Sequence, residues 1–364
     1  MRIVQIINGL QTGGAEKLVK DYHLRYLSRG EESTVISLTG AKLGWLTEKV
    51  FSLGLSSPYD PRTVLRLAAA VAETGLDKAD IIHVHLFPAQ IVTCLVHQSR
   101  DLPGHLITTE HKTHNRRRGT LLGKLTDRYS YSIYQRIICV SEGASDKLRA
   151  WMPDVSGKLR VIYNGIDLDR FSPVDSKKLD DDFTIVSVGS LTPQKNYFTA
   201  IRVFSELSAR GHSNLRYLIA GSGKLESKLR TTVESLGVSG NVELLGNVSD
   251  IPVFLQKADL FFMPSSWEGF GIAAVEAMAS GIPVIASDVQ GIREVVGSDS
   301  SCGLLVDADS VSEMADAVEY LLAEKGRARE MSGNAIKRAS LFSIEKTVDE
   351  HLNVYSDVLN EGTE

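Results

Sequence analysis

Short apolar runs rich in Val and Ile alternate along this chain with longer segments whose apolar positions recur every three or four residues. The first pattern fits strands and the second fits helices, so the alternation predicts parallel strands joined by helical crossovers. Strands are expected at residues 2–7, 33–38, 80–84, 105–109, 136–140 and 159–162, and a second series at 183–189, 215–220, 241–245, 260–263 and 283–286. A chain of 364 residues exceeds the usual size of one compact core, so the two series predict an α/β protein of two similar layered domains. The segment from Asn164-Gly165-Ile166-Asp167 to Pro173 passes into a polar stretch at 174–182, which places the boundary near residue 172. Helical spacing returns at 343–359, giving expected domains of 1–172 and 173–345 and a closing helix within 346–364.

Composition narrows the class only a little. With 43% hydrophobic and 23% charged residues the chain is neither disordered nor fibrous. No run approaches the length of apolar residues that a spanning helix needs, and the first apolar run meets Gly9 at once, as a strand does and a signal peptide does not. Cys94, Cys139 and Cys302 lie far apart in no metal or disulfide spacing, which suits reduced thiols in a cytosol.

Charge adds one local feature. The formal net charge is −5, yet residues 105–136 hold Lys112, Arg116, Arg117, Arg118, Lys124, Arg128 and Arg136 against Glu110 and Asp127. Two readings stand side by side: a solvated helix surface, or a basic face for anionic lipid or a diphosphate acceptor. Nucleic acid fits poorly, since no aromatics are interleaved and the whole chain is acidic.

Ligands of open parallel sheets bind beyond the carboxyl ends of the strands, so the strand exits are where chemistry is expected. After the first strand comes Gly9-Leu10-Gln11-Thr12-Gly13-Gly14-Ala15-Glu16, leading into a helix over 16–27; glycines there let backbone amides face an anion. It lacks the full G-x-G-x-x-G fingerprint with its acidic partner, which argues against a nicotinamide dehydrogenase. In the second half, Gly221-Ser222-Gly223 forms another such turn, open to a purely structural reading. At Gly189-Ser190-Leu191-Thr192-Pro193-Gln194-Lys195-Asn196, a helix starting near Asn196 and the Lys195 charge suit a leaving diphosphate.

The most informative exit is Pro264-Ser265-Ser266-Trp267-Glu268-Gly269-Phe270-Gly271-Ile272, running into a helix that carries Glu276. If that helix starts near Gly271, Glu268 sits in the turn above the sheet and Glu276 lies inside an otherwise apolar helix, where a carboxylate needs partners. A vicinal diol of a ribose would supply them, as would an arginine across the domain interface. The amides of Gly269, Phe270 and Gly271 are expected to point at phosphate or sugar oxygens. His83 and His85 share one strand face but lack a third metal ligand, so they are assigned to structure.

These residues resemble the retaining GT-B glycosyltransferases of family four, over nearly the whole chain. The resemblance rests on Gly13-Gly14-Ala15-Glu16, Thr109-Glu110-His111, Asn164-Gly165-Ile166-Asp167, Lys195, Gly221-Ser222-Gly223 and the segment from Glu268 to Glu276. It implies two Rossmann-like domains facing a central cleft, an N-terminal acceptor-binding domain, a C-terminal nucleotide-sugar-binding domain, and a last helix crossing back onto the first. It further implies catalytic roles for His111, Lys195 and Glu268. Donor binding would fall to Gly13, Gly14, Ser190, Gly221, Asn247, Val248, Gly269, Phe270, Gly271, Ile272 and Glu276, with Glu276 on the ribose and the turn at Asn247-Val248 meeting the base. The family's arginine after the strand-end glycine is replaced here by Ser190, which brings no charge, so diphosphate binding leans on Lys195 and helix N-termini.

The resemblance implies transfer of a hexose or N-acetylhexosamine, from a UDP-sugar in preference to a GDP-sugar, to a glycan or polyprenyl-linked acceptor in cell-surface polysaccharide, lipopolysaccharide or capsule synthesis. No metal or other cofactor is expected. The protein is expected in the cytoplasm or peripherally on the inner face of the plasma membrane, touching anionic lipid through residues 112–136. The competing readings are a GT-B sugar-nucleotide epimerase or phosphorylase, and a non-catalytic sugar or lipid-headgroup binding protein.

Overall fold

The computed structural model describes residues 1–11, 13–40, 49–115, 117–173 and 183–361. Thr12, Arg116 of the basic run and the polar stretch 174–182 lie outside the described residues. The chain divides into two compact units, one of Met1–Gly165 with Ile344–Glu364 and the other of Ile166–Ser343. The division falls seven residues before the expected 172, for a local reason. Ile166 forms a parallel bridge to Ser343 and its N–H donates to Phe342 O at 2.9 Å, so the chain joins the second unit there.

Among the described residues the first unit holds a sheet of seven strands: β1 (Arg2–Ile7), β2 (Glu32–Thr39), β3 (Val50–Leu55), β4 (Ile81–His85), β5 (His105–Glu110), β6 (Arg136–Cys139) and β7 (Leu159–Val161). Their order is β3-β2-β1-β4-β5-β6-β7, with every pairing parallel. All five residues of β4 are buried, as expected where crossover helices cover both faces. The second unit holds β8 (Phe183–Val188), β9 (Leu215–Ala220), β10 (Val242–Gly246), β11 (Leu260–Met263), β12 (Val284–Ser287) and β13 (Gly303–Val306), in the order β10-β9-β8-β11-β12-β13 and again all parallel. Each sheet thus reverses its strand order once, between β1 and β4 in the first and between β8 and β11 in the second.

Helix Ile344–Glu361 belongs to the first unit, and polar contacts explain why it stays there. Tyr26 OH lies 2.9 Å from both His351 Nδ1 and Tyr355 OH, and Thr347 Oγ1 donates to Tyr163 O at 2.9 Å. Arg25 and Arg29 both reach Glu345, at 2.9 and 3.0 Å, and Arg136 of β6 pairs with Glu361.

Beneath this helix the imidazoles gather. His83 is held by Tyr355 OH on Nδ1 at 2.6 Å and by Thr109 Oγ1 on Nε2 at 2.7 Å. His85 Nδ1 meets His111 Nε2 at 3.2 Å, and the His83 and His85 ring centroids are 4.2 Å apart. Burial, which penalises the charged ring, pulls His111 down to about 4 and His351 to about 3, and His83 and His85 well below their ordinary value. Near His111, Glu110 opposes this shift and Lys112 adds to it. Their stabilisation is therefore complete above the ordinary imidazole value of 6.5, is lost as pH falls through the acid range, and reaches its floor near 4 for His111 and 3 for His351. Proton NMR of the histidine ring resonances should show these four unchanged between about pH 7 and about pH 5 while the fold persists. Ordinary titration curves in that window would contradict the buried cluster.

The basic run is not a single basic face. Arg117 Nε donates to Asp127 Oδ1 at 2.8 Å, and Arg118 lies 3.0 Å from Glu110 Oε2, with all four side chains largely buried. Tyr131 OH also donates to Glu110, at 2.7 Å, and Trp151 Nε1 to Asp127, at 3.0 Å. With Arg136 on Glu361, only Lys112, Lys124 and Arg128 of the described members stand exposed. Inward-facing arginines find buried acids because an unpaired buried charge is costly.

Candidate functional site

In the second unit the exits of the two strands flanking the order reversal carry Lys195 and Glu268, two of the three residues expected to be catalytic. Gly189–Lys195 leaves β8, and the turn ending in Gly271 leaves β11. Lys195 Nζ donates to Glu268 Oε1 at 2.6 Å, and that same oxygen accepts from Ser265 Oγ at 2.8 Å. Gln194 Nε2 donates to Glu268 Oε2 at 3.2 Å, while Ser266 N–H donates to Gln194 O at 2.9 Å, so side chain and backbone tie the two exits together. Glu268 is 7% exposed, and its carboxylate accepts from the Lys195 ammonium and from the neutral donors Ser265 Oγ and Gln194 Nε2.

Local geometry explains how the turns reach each other. Lys195 ends a short 3-10 turn, Pro193–Lys195, and Asn196 takes a left-handed φ of 51° before helix Tyr197–Ala209 begins, one residue later than expected. Gly271 has φ 103° and opens helix Ile272–Ala279 with no side-chain cap, leaving its first amides for other acceptors. Phe270 is buried against Phe342, ring centroids 5.3 Å apart, which anchors the turn. Gly291, unremarked in the sequence, is also required: a Cβ there would lie 2.7 Å from the carbonyl oxygens of Glu268 and Gly269.

Glu276 is 4% exposed within helix Ile272–Ala279, and its carbonyl accepts from Ser280 Oγ at 2.9 Å. Ser190 is exposed, and its carbonyl takes the Thr192 N–H at 2.8 Å. Gly221 donates its N–H to Gly246 O at 2.7 Å, so that amide is committed to the fold. A Cβ on Gly221 would fall 1.9 Å from Gly189 O, which makes glycine necessary for packing alone. Asn247 is exposed and Val248 half-buried just after β10.

In the first unit, Gly13 and Gly14 lie exposed at the uncapped start of helix Gly14–Ser28, which begins two residues earlier than the sequence suggests. His111 follows β5 and, half-buried, joins His85. Sequence reasoning missed Ser265 and Gln194 as the residues that hold Glu268. Ser265, three residues before Glu268 in the same turn, was the available signal; Gln194 gave none, because its contact forms only once the exits of β8 and β11 come together.

Among the described residues no group of three or more His, Cys, Asp or Glu side chains is arranged to hold a metal ion. No described helix is long and apolar enough to cross a membrane.

Two doubly wound parallel-sheet units are the architecture of the GT-B class, and the fold matches that of HepE from Anabaena, solved in complex with UDP, with a TM-score of 0.82 at 20% identity, over 98% of this chain and 100% of that one. Residues 12–170 match the model of "Glycosyltransferase Family 4" and residues 169–338 that of "Glycosyl transferases group 1". An uncharacterized glycosyltransferase of Methanocaldococcus jannaschii is 30% identical over 301 residues, 77% of this chain and 76% of the relative. A UDP-Gal:alpha-D-GlcNAc-diphosphoundecaprenol alpha-1,3-galactosyltransferase of Escherichia coli is 27% identical over 301 residues, 78% and 76% of the two chains. The chain belongs to this glycosyltransferase family.

Proposed function

We propose that the protein transfers a hexose or N-acetylhexosamine, with retention at the anomeric carbon, from a UDP-sugar to a glycan or polyprenyl-linked acceptor in cell-surface polysaccharide synthesis. The observation that carries this reading is the Lys195–Glu268 pair, brought from the two strands beside the order reversal to the foot of an uncapped helix. Open parallel sheets generally take ligands at such an order reversal, which supports the reading. The UDP held by the Anabaena relative and the galactosyl donor and diphosphoundecaprenol acceptor of the Escherichia coli relative support the choice of donor and acceptor.

In this reading the bond from the anomeric carbon to the diphosphate oxygen breaks as the acceptor oxygen bonds the same carbon. Positive charge builds on the ring and negative charge on the leaving diphosphate. An ammonium carries three donors, and among the described residues Lys195 donates to the one acceptor Glu268, so it can bind the departing oxygens as well. The amides at Gly269, Phe270, Gly271 and Ile272 add to that field, Ser190 contributes one hydroxyl, and Glu276 takes the ribose diol. Glu268 positions Lys195 and meets the sugar hydroxyls. The acceptor proton passes to a leaving diphosphate oxygen during attack on the same face, and His111, held neutral, orients the acceptor. Asn247 and Val248 meet the base, and Gly13 and Gly14 lie on the acceptor side.

The test is a panel of UDP- and GDP-sugars with short-chain polyprenyl diphosphate glycans as acceptors, reading product and anomeric configuration by NMR. Transfer with retention is expected; an inverted product, or nucleotide binding without any transfer, overturns the reading. No metal takes part in this scheme, so chelation with EDTA should leave the rate unchanged within about twofold, whereas a metal-bridged diphosphate would cost several orders of magnitude.

A further inference from the structure

We propose that the outward face of helix Leu121–Ile133 is a docking surface for an anionic phospholipid bilayer. This helix is amphipathic in the reverse sense. Its inner side is Gly123, Asp127, Ser130 and Tyr131, and its outer side carries Leu121 and Leu122, each 76% exposed, Leu125 at 57% and Tyr129 at 37%. Ordinary surface helices bury their leucines and show their polar residues. Here polar bonds hold the inner side, with Asp127 locked by Arg117 and Trp151 and Tyr131 by Glu110, so the leucines contribute nothing to that packing.

The patch extends sideways and carries cations. Tyr129 OH donates to Gln98 Oε1 at 2.5 Å, bringing helix Ala89–Arg100 alongside with Leu95 at 40% exposed. Lys124 and Arg128 stand among the leucines, and Lys112 is exposed in the preceding loop. Arg128 reaches one acid, Asp154 at 3.7 Å, with both side chains solvated, and no acid lies on the outer side of the helix itself. Leucines at acyl-chain depth beneath cations at headgroup height are what an interfacial helix presents.

A second copy of the chain is the weaker occupant. Across a twofold axis the patch faces a copy of itself, so Lys124 and Arg128 meet a surface bearing the same two cations, with Asp154 beside Arg128 as the acid near them. Anionic headgroups answer both the apolar and the cationic part. The proposal supplies a reason for the lipid-linked acceptor suggested above and rests on that reading for its purpose, but its test uses no sugar transfer.

The full-length protein should co-sediment with vesicles of equal parts phosphatidylglycerol and phosphatidylcholine, and much less with phosphatidylcholine alone. Leu121→Ser/Leu122→Ser/Leu125→Ser should weaken that binding at least about tenfold, and Lys124→Ser/Arg128→Ser should remove most of its salt dependence. All five positions are exposed, and circular dichroism melts and UDP binding check that both variants remain folded. Wild-type protein left in the supernatant, or a triple-serine variant that binds as tightly as wild type, overturns the proposal. A dimer seen by sedimentation equilibrium and lost in the triple variant, without vesicle binding, assigns the face to a second copy instead. Transfer to a soluble acceptor without vesicle binding sinks only the docking surface; vesicle binding without UDP binding or transfer sinks only the enzymatic reading.

Discussion

Lys195→Ala is expected to lower kcat/KM for sugar transfer by about two to three orders of magnitude, the scale on which removal of one preorganised donor to a developing charge acts. The loss should be larger than in a relative that shares the load with a second cation, because Ser190 brings none. The same substitution leaves Glu268 enclosed without its counter-ion, its side chain 8% exposed, and should cost about 2–4 kcal/mol of stability. The two effects separate in Lys195→Met/Glu268→Gln, where the uncompensated charge is gone: urea midpoints should recover and transfer should not. Activity of Lys195→Ala within about twofold of wild type would leave the proposed diphosphate site without its main cation.

Asp127→Ala should destabilise the first unit by about 3–5 kcal/mol, the range for removing one partner of a buried pair. Asp127 is fully buried, and its loss strands both the Arg117 guanidinium and Trp151 Nε1. Burial raises the Asp127 carboxyl above its usual range despite Arg117, so the pair is no large net gain over an apolar substitute. The expected cost comes from leaving arginine alone. Asp127→Asn keeps one acceptor oxygen, enough for the N–H of Arg117 or of Trp151 but not both, and should cost less than alanine. Equilibrium unfolding in urea compares the two, and an alanine variant shifted by less than about 1 kcal/mol would mean that water reaches Arg117.

The interior of both sheets was legible because buried parallel strands write themselves as continuous apolar runs. β3 and β13 were not, and both are edge strands. β3 contains Gly54 at a φ of 68° and is half exposed over most of its length, and β13 starts on a glycine and has one buried residue in four. Both runs are short and interrupted or opened by a glycine, so their apolar residues do not stand out from the loops beside them. Glu268 and Lys195 could be picked out by their places at strand exits, but their mutual contact could not, since it depends on strand order. The basic run misled for a related reason: counting Arg117 and Arg118 records their charge and not their direction, and both turn inward to Glu110 and Asp127.

The helix Ile344–Glu361 has a consequence for the order in which the protein is made. The second unit is one continuous stretch, so it can close as soon as it leaves the ribosome. The first unit, although synthesised earlier, waits for the final helix to cover Tyr26 and His83, and until then presents those rings to chaperones and proteases. A released chain ending at Ser343 would hold every residue of the second unit and lack part of the first, although the first unit begins the chain.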